Sequence, residues 1–258
     1  MGSVGPFTGP RISLTFDGLL FDFDGTIVDS TAAVVKHWHI IGQEIGVDPK
    51  VILETSHGRR SIDMLKILAP ERANWECKSV AAPAAAAIIS LPFRSVGIDV
   101  SMMEGRVPRE LGADATEIPG ARRLLTSLEE AGAPWAVVTS GSNALITGWL
   151  GVLQLAHPKY LVVAEDVQVG KPDPSCYLLG RSRLGLEHST LMLVIEDAPS
   201  GVRAGKAAGF KVLALATTHA VAELKDAGAD WIIRDLDSAS LKKYADGQVE
   251  VEIWDTLQ

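Results

Sequence analysis

The chain has 258 residues, 47% hydrophobic and 22% charged, enough to bury a large core as one domain with a sizeable insertion or as two domains. Its net charge of −8 argues against nucleic acid and anionic membranes as partners, but not against a small anionic ligand held in a local site. The two cysteines, Cys77 and Cys176, make neither a disulfide framework nor a ligand-spaced cluster, which points to a reducing compartment and a cytoplasmic protein.

Residues 1–17 open with MGSVGPFTGPRIS, which has no apolar core of the secretory kind, and read as a disordered lead-in. The run LLFDFD (19–24) follows, then WAVVTS (135–140), YLVVAEDV (160–167), LMLVIED (191–197) and KVLALATT (211–218). Their Val, Ile and Leu content and their lack of alternation suit parallel strands buried on both faces. Helix-like segments separate the later runs: 120–131, 143–153, 174–184, 200–208 and 220–227. Several of them stop at a glycine, Gly132, Gly185, Gly209 or Gly228. Strand–helix alternation of this kind predicts an α/β fold, a doubly wound Rossmann-like parallel sheet.

Residues 30–117 break the alternation. STAAVVKHWHIIGQEIG and RRSIDMLKILAP read as helices, with no clear strand among them. A helical domain inserted after the first strand is the simplest account, leaving 18–29 and 118–258 as the core domain. The tract AAPAAAAIISLPF (81–93) is too short to span a bilayer and carries two prolines.

In parallel sheets, ligands gather at the carboxyl ends of the strands. The runs end in Asp22 and Asp24, Thr139 and Ser140, and Glu196 and Asp197, and Lys171 follows in VGKPDP. Two carboxylates at the end of a buried strand repel, and desolvating each costs several kcal/mol, so something positive belongs beside them. Carboxylates and backbone oxygens are what Mg2+ prefers, commonly bridged to substrate phosphate. Four acids, a hydroxyl and one lysine therefore point to phosphoryl transfer, in which positioning and electrostatics do most of the catalysis.

DFDGT, VVTSG, GKPDP and IEDAPSG resemble, in order, the four motifs of the haloacid dehalogenase superfamily. Within it, SHGRR, VVTSGS, VGKPDPSCYLLGRSRLG and IEDAPSGVRAGKAAGFKVLALATTH resemble the fungal glycerol-phosphate and 2-deoxyglucose-6-phosphate phosphatases. The resemblance implies a phosphomonoesterase with these roles. Asp22 is the nucleophile that forms an aspartyl-phosphate, and Asp24 the general acid and base. Thr139 holds phosphoryl oxygens, with Ser140 beside it, and Lys171 neutralises charge. Asp22, Asp197, Glu196 and the backbone carbonyl of Asp24 hold Mg2+. Dehalogenases need no acid two residues after the nucleophile, so Asp24 favours a phosphatase or mutase. The inserted helical domain becomes a cap over the crevice. In SHGRR, His57, Arg59 and Arg60 become candidates for contacting a small phosphorylated polyol or sugar. A phosphosugar mutase and a non-catalytic binding homologue are the alternatives, and the expected assembly is a monomer or weak dimer. His37 and His39 read as packing or surface residues, Asp29 as a helix cap and Cys176 as core.

One segment does not fit. The phosphatases it resembles run almost directly from a stretch like ERANWE to one like MEGRVPRELG, whereas here Cys77–Met102 intervenes, 26 residues or about 78 nucleotides. One reading is an unspliced intron translated in frame, since Cys-Lys-Ser can be encoded by TGTAAGTCN, which contains the donor splice signal GTAAGT. The other is a genuine extension of a cap loop. Both predict low order over 77–102 and no site residues there.

Overall fold

In the computed structural model, which describes residues 6–56, 58–70, 73–74 and 98–257, the apolar runs become strands of one sheet. The chain begins with β1 (Ile12–Phe16), β2 (Gly18–Phe21) and β3 (Val28–Asp29), then α1 (Thr31–Ile45), α2 (Pro49–Ser56) and α3 (Ser61–Leu68). Next come β4 (Ala73–Asn74), β5 (Ile98–Asp99), α4 (Val100–Leu111), β6 (Thr116–Glu117) and α5 (Ala121–Ala131). Strands and helices then alternate through β7 (Trp135–Val138), α6 (Asn143–Val152), β8 (Leu161–Val162), α7 (Ser175–Arg183), β9 (Met192–Glu196), α8 (Pro199–Ala207), β10 (Lys211–Leu215), α9 (Val221–Asp226) and β11 (Trp231–Ile233). The described chain ends on β12 (Ala239–Ala245) and β13 (Gln248–Ile253).

The main sheet runs β11-β10-β9-β2-β7-β8, and every pairing in it is parallel. Alternate residues of each strand face opposite layers, and both layers are apolar. Leu19, Phe21, Val137, Leu193 and Ile195 pack with Leu124 and Leu128 of α5 and Ile146 and Trp149 of α6. Leu20, Ala136, Val138 and Val194 pack on the other side with Cys176 and Tyr177 of α7 and Val202 and Ala204 of α8. Strand β2 is central, so its end opens where the chain reverses direction across the sheet.

The insertion is tethered by a pair of short antiparallel strands, Val28 opposite Glu117 and Asp29 opposite Thr116. Asp29 Oδ1 accepts from the Thr31 N–H, capping the turn into α1. The helical domain has its own core, built from Trp38, Ile41, Ile52, Ile62, Leu65 and Val100. It also packs on the core domain where α4 meets α6. A Cβ on Gly148 would lie 2.7 Å from Pro108 Cγ, and one on Gly105 would lie 3.1 Å from the Ala144 Cβ, so small residues let the two helices approach closely.

Two expectations need correction, and one sheet is additional to them. The lead-in is not disordered throughout, because Ile12–Phe16 forms β1 and pairs antiparallel with β13. The β1-β13-β12 sheet that results was not expected at all, and it buries Phe16, Val249, Val251 and Ile253 in the main core. Of the atypical segment, 77–97 lies outside the described residues, but 98–102 is ordered: Ile98 and Asp99 pair with β4, and Asp99 caps α4 by accepting from the Met102 N–H at 2.9 Å. Among the described residues, no helix is long and apolar enough to cross a membrane.

Candidate active site

Three neighbouring parallel strands, β2, β7 and β9, deliver the acids and hydroxyls, and the loop after β8 delivers the lysine. The Asp22 N–H donates to the Ile195 carbonyl, so Asp22 leaves the sheet beside Glu196. The chain then turns sharply at Gly25, which adopts φ +83°. A Cβ at Gly25 would lie 2.2 Å from Asp197 Oδ2, so both the turn and the close approach require glycine.

The Lys171 Nζ is the centre of the cluster. It donates to Asp22 Oδ1 at 2.5 Å, to Glu196 Oε1 at 2.7 Å and to the Val138 carbonyl at 3.3 Å. It also lies 5.0 Å from the centroid of the Tyr177 ring, whose hydroxyl donates to Glu196 Oε1 at 3.1 Å. The other oxygen of Glu196 accepts from the backbone N–H groups of Asp197 and Ala198. Gly201 makes room for this, since a Cβ there would fall 1.5 Å from Glu196 Oε1. Asp197 Oδ1 accepts from the Thr26 hydroxyl at 3.2 Å, and its Oδ2 accepts from the Thr218 hydroxyl.

The electrostatics follow from this burial. Burial pushes the Asp22 carboxyl up to about 8, against the pull of Lys171 and with help from the charge of Glu196. Burial, then Glu196 and Asp22, hold Asp197 well above the usual carboxylate range. Burial opposes the Lys171 charge, but Asp22 and Glu196 more than offset it and keep the ammonium protonated. One atom from each of Asp22, Glu196 and Asp197 lies within 4.8 Å of the others. Three carboxylates thus face one ammonium, leaving two negative charges uncompensated when all are ionised. That donor set fits one divalent cation, as members of the family use. Glu196 already accepts four hydrogen bonds, as many as a carboxylate's lone pairs allow, whereas Asp22 and Asp197 keep capacity to spare.

Asp24 stands apart from this set. Its Oδ1 accepts from the Ser30 hydroxyl at 2.5 Å, and burial raises its pKa against that hydrogen bond and the charge of Lys171. Thr139 is buried, and its Oγ1 accepts from the Gly141 N–H at 3.0 Å.

The remaining candidates are placed differently. The Ser140 hydroxyl donates to the Gly58 carbonyl at 3.0 Å, so it is engaged with the cap. Arg59 is exposed, and His57 lies outside the described residues. Arg60, expected to contact substrate, is buried, and its five N–H groups meet Asp63 and the carbonyls of Ala164, Val167 and Gln168. No donor of its fork remains for a ligand.

Sequence reasoning missed Tyr177, Thr26, Thr218 and Glu104. Glu104, on α4, is buried and accepts from the Ser142 N–H at 2.7 Å, joining the cap to the start of α6. Burial raises its pKa, opposed by hydrogen bonds from Ser142 and Ser61. A single glutamate in a polar helix gives no sequence signal for this. Thr218, at the end of the KVLALATT run, had the same strand-end signal as the acids.

A family model described as haloacid dehalogenase-like hydrolase matches residues 19–215. Glycerol-1-phosphate phosphohydrolase 1 of Saccharomyces cerevisiae is 33% identical over 256 residues, covering 96% of this chain and 94% of that protein. From the same organism, 2-deoxyglucose-6-phosphate phosphatase 2 is 32% identical, with coverage of 95% and 97%. A solved hydrolase from Pseudomonas syringae superposes with a TM-score of 0.66 at 26% identity, covering 85% of this chain and 94% of that one. The matched span, the parallel sheet and the ordered motifs agree: this chain belongs to the haloacid dehalogenase-like hydrolase family.

Proposed function

We propose that this chain is a Mg2+-dependent phosphomonoesterase that hydrolyses a small polyol or sugar phosphate through an aspartyl-phosphate on Asp22. The observation that carries the reading is the Lys171 ammonium bridging Asp22 and Glu196 beside Asp197, a buried anionic centre with one fixed cation. The substrate class is supported by relatives named for glycerol-1-phosphate and 2-deoxyglucose-6-phosphate.

In this reading the Asp22 carboxylate attacks phosphorus, and the ester oxygen leaves with a proton taken from Asp24. Asp24, now ionised, takes a proton from water. That water attacks phosphorus and releases inorganic phosphate, returning Asp22 to a carboxylate. Splitting the displacement in two lowers each barrier. The raised pKa of Asp24 favours the protonated form that the first step needs, and the Ser30 hydroxyl steadies it when it ionises. Lys171 holds Asp22 in place and offsets charge on the phosphoryl oxygens, while the Thr139 hydroxyl donates to one of them. Bound at Asp22, Asp197 and the Asp24 carbonyl, Mg2+ would supply the remaining positive charge against the phosphate dianion. Glu196 serves by holding Lys171 and the 197–198 turn rather than as a direct ligand. Arg59 at the cap, together with His57, is assigned to the polyol or sugar end. The reading places the enzyme in the cytoplasm, as a monomer or weak dimer without nucleic-acid or membrane partners, consistent with its charge of −8.

The test is release of inorganic phosphate from a panel of glycerol, hexitol, deoxysugar and nucleotide phosphates, with Mg2+ and with EDTA. Hydrolysis of the polyol or sugar esters only with metal is expected. Transfer of phosphate to added sugar phosphate in place of release would favour the mutase and overturn the reading.

A further inference from the structure

The short cap segment 58–60 reaches three catalytic loops at once. The Gly58 carbonyl accepts from the hydroxyls of Ser140, next to Thr139, and Ser200, which follows the Asp197 turn. Gly58 has φ +70°, and a Cβ there would lie 2.6 Å from both the Ala198 Cβ and Ser200 Oγ. Two residues on, Arg60 grips the loop that leads to Lys171. Its Nη1 donates to the carbonyls of Ala164 (3.2 Å) and Val167 (2.6 Å), and its Nη2 to that of Gln168 (2.8 Å). Its Nε and Nη2 also donate to Asp63 at 2.7 and 2.8 Å. Gly170, the residue immediately before Lys171, lies flat against this pair: a Cβ would fall 2.7 Å from Arg60 Nε and 2.9 Å from Asp63 Oδ2.

A planar guanidinium with five fixed donors is suited to organising several carbonyls in one plane. Apart from one 3-10 turn at Ala164–Asp166, this loop has no ladder of its own to satisfy its carbonyls, so the partner that satisfies them sets its course. From this geometry we infer that Arg60 is a positioning residue. Seated from the cap, it fixes the 164–170 loop and thereby the Lys171 ammonium between Asp22 and Glu196. This goes beyond the phosphatase reading but rests on it for the role of Lys171. It also assigns Arg60 to the chemistry common to all substrates rather than to recognition of one.

The test compares wild type with Arg60→Ala and Gly170→Ala on glycerol phosphate and on p-nitrophenyl phosphate, an ester with no polyol. Displacing a catalytic group by about 1 Å costs on the order of 10²-fold. Both variants should therefore lose kcat by about that factor on both esters, with KM little changed. Guanidinium ion at non-denaturing concentration should restore Arg60→Ala at least about tenfold, and equal NaCl should not. Amide hydrogen exchange over 164–171 should quicken in Arg60→Ala whether or not the wild type turns over. If Arg60→Ala fails to fold, Gly170→Ala carries the kinetic comparison. A rise in KM confined to glycerol phosphate, or unchanged kcat with unchanged exchange over 164–171, overturns the inference. Absence of hydrolysis by the wild type overturns the phosphatase reading instead, and the exchange measurement still decides the role of Arg60.

Discussion

Replacing Lys171 with methionine removes the only cation that touches Asp22 and Glu196 among the described residues and leaves an unbranched apolar side chain one atom shorter. The ammonium lies 2.5 Å from one carboxylate and 2.7 Å from the other, and its side chain is 1% exposed, so water cannot take over its work. Removing one partner of a buried ion pair costs about 3–5 kcal/mol, because the charge left behind has no compensation. In a chain of about this length each kcal/mol moves Tm by about 2–4 °C, so Lys171→Met should lower Tm by roughly 6–20 °C in EDTA. The loss should depend on pH. Asp22 titrates upward, near 8, and losing Lys171 raises it further, so below that range Asp22 takes up a proton and relieves the repulsion. Below about pH 8 both folded forms hold the Asp22 proton, and above it only the variant does, so the deficit relative to wild type should grow as pH rises from about 8. Adding Asp22→Asn should recover part of the loss, since the two sites are coupled. Thermal unfolding in EDTA across this pH range makes the measurement. A Tm within a degree or two of wild type at every pH, or strict additivity of the two substitutions, would refute the electrostatic account of the cluster.

Two further outcomes follow from the same geometry. Glu104→Gln keeps an acceptor for the Ser142 N–H but removes the buried charge. Because burial raises Glu104 above 4.5, the folded chain retains a proton that the unfolded chain releases, and stability falls as pH climbs through that window. Chemical denaturation of Glu104→Gln should show a flatter pH profile there, and an unchanged slope would contradict the assignment. Gly25→Ala imposes a left-handed backbone on a residue with a Cβ, costing about 1–2 kcal/mol, and drives that Cβ into Asp197. It should weaken the Tm rise produced by Mg2+ by more than it lowers the Tm of the metal-free protein. An undiminished Mg2+ effect would show that Asp197 does not need this turn.

The parts of the fold that were legible in sequence are those whose physics is local. LLF, WAVV and MLVI carry apolar side chains at every position because both sheet faces are covered, and the residues that follow place the acids with little freedom. The antiparallel sheet carries no unbroken apolar run to mark it. QVEVEI alternates instead, with Val249, Val251 and Ile253 inward and Glu250 and Glu252 outward on β13, as suits a strand covered on one face. Its partner β1 hid behind a Gly- and Pro-rich start. Arg60 was misread for another reason. Residue type and loop position are the same for an arginine aimed at a ligand and one aimed at a neighbouring loop. Only the carbonyls of 164–168, about a hundred residues away in sequence, decide between them. The Arg60–Asp63 spacing of three residues at the start of a helix was the one available hint that the guanidinium was already paired.

The central claim is that Asp22 attacks phosphorus and Asp24 supplies and then takes the proton. Phosphate release from glycerol phosphate with Mg2+, measured for wild type, Asp22→Asn and Asp24→Asn side by side, tests it most directly. The account predicts turnover by the wild type that EDTA abolishes, and loss of nearly all of it in each variant while both remain folded. Turnover at the wild-type rate by a folded Asp22→Asn would contradict it.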